Sequence, residues 1–68
     1  MAHLEQFEVL QLHDDKWELV AAFRELDLAT EVARSRRSNI RVVRAGYEDG
    51  KKVFEEILLD LGSTRDVA

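Results

Sequence analysis

Five arginines, Arg34, Arg36, Arg37, Arg41 and Arg44, fall within eleven residues that contain no acid. Guanidinium forks match phosphate oxygens bidentately, so such a run could grip a nucleic-acid backbone. The same residues could instead close a helix C-terminus and then pair across a sheet with acids such as Glu55. Stacking aromatics are missing from the run, and no RRM, KH or double-stranded-RNA signature occurs elsewhere. An arginine-rich nucleic-acid accessory is therefore the alternative reading. The first expectation is contact with acidic surface on a second subunit or another protein.

Other chemistry finds less support. His3 and His13, with Asp14 and Asp15, match no known metal-ligand spacing and read as solvated turn and terminal residues. Glu55 and Glu56 would point to opposite faces of a strand, which rules them out as an acid/base pair. Ser35, Ser38, Ser63, Thr30 and Thr64 have no histidine and acid at nucleophile spacing. The three glycines make no phosphate loop, and there is no cysteine. No cofactor, no metal and no enzymatic activity are expected. Trp17 and Tyr47 could form an aromatic recognition surface, but strand-end aromatics of this kind read first as core or rim.

The elements that position these residues must fit into 68 residues, enough for one domain with a marginal core. Residues 1–61 are expected to form it, with 62–68 a frayed tail. Without disulfides, oligomerisation is the remaining common source of stability. Neither a leader peptide nor an apolar run of about 20 residues is seen, so no membrane contact and a cytoplasmic location are expected. Net charge is −4. Outside the arginine run, five basic residues stand against fourteen acidic ones, so the charge is two-sided.

Residues 7–12 and 17–23 are rich in strand formers around the polar break His13-Asp14-Asp15-Lys16, which predicts a hairpin. A turn at Asp14-Asp15 opposes Leu12 to Trp17, Leu10 to Leu19 and Gln6 to Phe23 on one face. On the other it opposes Val9 to Val20 and Phe7 to Ala22. In residues 24–37, Leu28, Ala29, Val32 and Ala33 recur with a helical period. Acids at the start and arginines at the end suit the helix dipole, and Ser38-Asn39 is a suitable stop. Residues 40–47 are β-branched and short, hence a strand.

Residues 51–61 read two ways. Val53, Phe54, Ile57, Leu58 and Leu61 share a helical stripe, with Gly62 placed to close it. That reading gives ββαβα. Against it stands Asp49-Gly50, the strongest short hairpin signal. It would pair Glu48 with Lys51, Gly46 with Val53, Arg44 with Glu55, Val42 with Ile57 and Ile40 with Leu59. Opposite charges and aliphatic pairs of this kind stabilise a ladder. The hairpin is preferred, giving an α+β fold, ββαββ, with two antiparallel hairpins flanking one helix.

Trp17 opening the second strand, Phe23 closing it, Ala29 and Ala33 on the helix, and Val42-Val43…Tyr47…Gly50…Phe54 together carry a resemblance. Over residues 6–61 the chain resembles a group of short bacterial ββαββ proteins, mostly proteobacterial, to which no function is assigned. That resemblance implies the fold and an intertwined homodimer; it implies no ligand and no catalytic residue.

One alanine-rich helix can cover only one sheet face, yet both faces carry apolar residues. A homodimer is therefore expected, by sheet packing or by exchange of a hairpin about residues 35–39. Phe7, Val9, Val20, Val43, Phe54 and Leu58 are the interface candidates. Another protein is the second expected partner.

Overall fold

The computed structural model describes residues 3–36 and 39–61. Strands β1 (His3–His13) and β2 (Lys16–Phe23) precede helix α1 (Leu26–Arg36), and β3 (Ile40–Glu48) and β4 (Lys51–Leu61) follow it. They form one sheet in the order β2-β1-β3-β4 with every neighbouring pair antiparallel. The architecture is α+β, ββαββ. The stretch that could have been a C-terminal helix is the edge strand β4.

Turn chemistry explains the two hairpins. Asp49 and Gly50 have φ of 53° and 83°, and Asp14 and Asp15 have φ of 52° and 65°. Two left-handed residues in succession give the turn whose twist matches that of the flanking strands. Asn39, at φ 57°, makes the reversal into β3, and its carbonyl accepts a bond from the Leu12 amide at 2.9 Å. Asparagine tolerates that conformation better than most side chains.

The core lies between α1 and one face of the sheet. Val9, Ala29, Ala33, Ile40 and Val42 are fully buried there, with Phe7, Val20, Phe23, Val32, Leu59 and Leu61 packed around them. Ala29 and Ala33 let the helix backbone approach large aliphatic residues closely. Leu28, expected on the buried stripe, is exposed on the outer side of the helix. The tail 62–68 and part of the expected exchange hinge, residues 37 and 38, lie outside the described residues.

Three bulges correct the expected pairing. In β2, Val20 is extra: Leu10 opposes Leu19 as expected, but Val9 opposes Ala21 and Phe7 opposes Phe23. In β4, Val53 and Leu58 are extra, so Gly46 meets Phe54, Arg44 meets Glu56, Val42 meets Leu59 and Ile40 meets Leu61. A bulge sets two residues against one and returns the following side chains to the other face. Here it sorts mixed strands. Leu59 and Leu61 go beneath the helix, while Lys52 and Glu55, three apart, meet on the same side at 3.6 Å.

Candidate interaction face

Among the described residues no element lies over the sheet face turned away from α1. Alternation places Leu4, Gln6, Glu8 and Leu10 of β1 there, opposite in sense to Phe7 and Val9. Trp17 and Leu19 join them from β2, Arg41, Val43, Ala45 and Tyr47 from β3, and Lys52, Glu55, Ile57 and Asp60 from β4. Leu19 is 59% exposed, Ile57 53% and Leu4 36%. A shallow hollow of about 260 Å³ opens between Leu10, Trp17, Arg41, Val43, Glu55 and Ile57.

Two polar arrangements frame this face. The Arg41 guanidinium lies 4.0 Å above the Trp17 ring while its Nε donates to Asp60 at 3.2 Å. Arg41 thereby links three strands and is held in place by stacking and charge. Toward the Asp49-Gly50 turn, Glu8 is only 2% exposed. Its carboxylate accepts from Tyr47 Oη at 2.5 Å, Gln6 Nε2 at 2.9 Å and Lys52 Nζ at 3.4 Å. Burial pushes the Glu8 carboxyl up, but those hydrogen bonds and the Lys52 charge outweigh it and hold it below the usual carboxylate value. Bonding to Glu8 raises the Tyr47 phenol in turn. For Lys52, burial is outweighed by the charges of Glu8 and Glu55, and the ammonium is also held above its usual value.

The expected site residues do not assemble as proposed from sequence. Phe7, Val9 and Val20 belong to the core beneath the helix. Val43 lies on the uncovered face, while Phe54 sits over Gly46 on the helix side and Leu58 is an exposed bulge residue. Trp17 and Tyr47, expected as core or rim, both lie on the uncovered face. Sequence reasoning missed Leu19, Ile57 and the Glu8 network as parts of it. A lone acid inside the apolar run Phe7-Glu8-Val9-Leu10 was the available signal.

The arginines also separate. Arg44 lies on the helix side, bonded to Glu5 and Glu56 at 3.1 Å each and set over the Phe54 ring. Arg41 faces the other way. Arg36 donates to Gln11 at 3.0 Å, Arg34 is exposed in the last helical turn, and Arg37 lies outside the described residues. Arg41 and Arg44 are thus held by carboxylates on opposite faces rather than joined in one phosphate grip. His3 and His13 stand exposed at opposite ends of β1, and Glu55 and Glu56 face opposite sides. Among the described residues no acid or histidine cluster is arranged to hold a metal, and no helix is long and apolar enough to cross a membrane. Comparisons with known protein families, curated proteins and solved structures find no match.

Proposed function

We propose that this chain is a non-enzymatic protein-interaction module that associates first with a second copy of itself. The observation that carries this reading is the uncovered sheet face. It holds the chain's one tryptophan and one tyrosine, together with Leu19 and Ile57, each more than half exposed. Tryptophan, tyrosine and arginine are the residues that dominate binding energy in protein interfaces, and here Trp17 and Arg41 are already stacked. Apolar area is worth about 25 cal/mol per Å², so leaving this face in water forfeits several kcal/mol. A small domain has little stability to set against that loss.

Light scattering across a dilution series tests the reading. A mass near twice 7.9 kDa that persists to micromolar concentration is the expected result. A mass of 7.9 kDa throughout would overturn self-association. Saturable, salt-sensitive binding of an oligonucleotide would instead favour the arginine-rich alternative.

A further inference from the structure

We infer that the second copy packs face to face on the uncovered sheet, rather than extending the sheet at an edge or exchanging a hairpin. This rests on the self-association reading and specifies its geometry. Both edge strands are bulged, β2 at Val20 and β4 at Val53 and Leu58. Bulges bend an edge and interrupt its row of free amides and carbonyls, which discourages pairing with another strand. Hairpin exchange replaces contacts within one chain by the same contacts between two. It therefore leaves the apolar face as wet as before. Only a body laid across that face removes it from water.

The face is suited to a second copy. Its charges are already matched within the chain: Arg41 with Asp60 at 3.2 Å, and Lys52 with Glu8 at 3.4 Å and Glu55 at 3.6 Å. Among the described residues, covering it strands no unpaired charge, the condition under which buried ions become most costly. Four strands about 4.8 Å apart and about nine residues long, at about 3.3 Å per residue, make a face of roughly 570 Å² in projection. That approaches the ~800 Å² per partner of a standard stable interface, before side-chain relief is added. A two-fold pair uses the same patch twice, so apolar area meets apolar area with no second surface required. Arg41 is fixed by Trp17 and Asp60 in the single chain, so little of its side-chain freedom is lost on docking.

The test uses Leu19→Lys and Ile57→Lys, singly and together, with Leu28→Lys on the outer side of the helix as the control. All three side chains are substantially exposed in the single chain, so the core is left intact. Each face substitution should raise the dimer dissociation constant at least tenfold, and the pair should be monomeric at every concentration. Leu28→Lys should leave the mass unchanged. A second measurement does not depend on the lysine variants folding. Single cysteines at positions 19 and 57 stand in a chain with no other cysteine, and should be joined between copies by a bis-maleimide matching the ~10 Å sheet spacing. A cysteine at position 28 should not be. A monomeric wild type removes the self-association reading and this geometry with it. A dimer that survives the double lysine variant, or that cross-links at 28 and not at 19 or 57, overturns face-to-face packing alone.

Discussion

Gly46→Ala should destabilise the fold through one contact. A β-carbon built on Gly46 would lie 2.1 Å from Phe54 Cε1, 2.6 Å from Cδ1 and 2.7 Å from Cζ. Carbon atoms rest about 3.5–4.0 Å apart, so the ring must retreat by about 1.5 Å. Its room to do so is limited, because the Arg44 guanidinium lies 5.0 Å from the ring centre and is itself held by Glu5 and Glu56. Overpacking of this kind costs about 1–3 kcal/mol. Restricting the unfolded chain returns about 0.4–1 kcal/mol. The net loss should be about 1–2 kcal/mol, which in a domain of this size lowers the melting temperature by roughly 4–16 °C. Denaturant melts at fixed protein concentration would measure it, since the proposed dimer would make stability concentration-dependent. Phe54→Ala supplies the other arm of a double-mutant cycle: with the ring gone, Gly46→Ala should be neutral or stabilising, a coupling of about 1–3 kcal/mol. An unchanged cost in the Phe54→Ala background would refute the contact as its cause.

Two further substitutions test the turn and the buried carboxylate. Asp15 holds φ 65° in a turn where glycine is preferred, so Asp15→Gly should raise the unfolding free energy by a few tenths to about 1 kcal/mol, read as a higher denaturation midpoint with an unchanged slope. Glu8→Gln should lower stability at neutral pH by about 1.5–3 kcal/mol, because Tyr47, Gln6 and Lys52 lose a charged acceptor. The Glu8 carboxyl titrates below the ordinary value of 4.5 in the folded chain. Its contribution is therefore complete above that value and disappears as the pH falls through the lower folded one. Denaturation midpoints taken from about pH 6 to about pH 3 should fall more steeply for the native chain than for Glu8→Gln; parallel curves would show that Glu8 is not the group lost.

The elements were legible because each has a local cause. Asp49-Gly50 marks one hairpin, Asp14-Asp15 the other, and Ala29 with Ala33 repeats at the helical interval. The register was not legible, since a bulge at Val20, Val53 or Leu58 carries no residue signature of its own. Strict alternation in β4 puts Glu55, Ile57 and Leu59 on one face, mixing charge with core. A hint existed in the charges. From the Asp49-Gly50 turn, uninterrupted pairing joins Arg44 to Glu55, whereas the observed Arg44–Glu56 and Arg41–Asp60 pairs need one and two extra residues in β4. Complementary charges on both ladders could have suggested two insertions.

Which face the helix covers is a question of topology, and for this reason the interface candidates were divided between two sides. Both faces of the first hairpin are apolar, with Phe7, Val9 and Val20 on one and Leu10, Trp17 and Leu19 on the other. Composition alone does not choose between them. The choice follows from the sheet order: β1 lies between β2 and β3, so α1 makes a crossover between two parallel strands. Such crossovers have a strongly preferred hand, and once the middle strand is known that hand selects the covered face. The middle strand is set by the long-range pairing of β1 with β3, for which neighbouring residues give no signal. Ala29 and Ala33 then favour the face bearing Val9, Ile40 and Val42, whose aliphatic side chains pack closely beneath a small helix surface. Arg41 is left outside with Asp60, which its guanidinium pairs with, and Trp17 is the ring on which that guanidinium stacks. The surface available to a partner is thus the remainder of a packing choice made on the other side of the sheet. Substitutions that enlarge Ala29 or Ala33 should disturb the fold before they disturb association, whereas those at Leu19 and Ile57 should act in the opposite order.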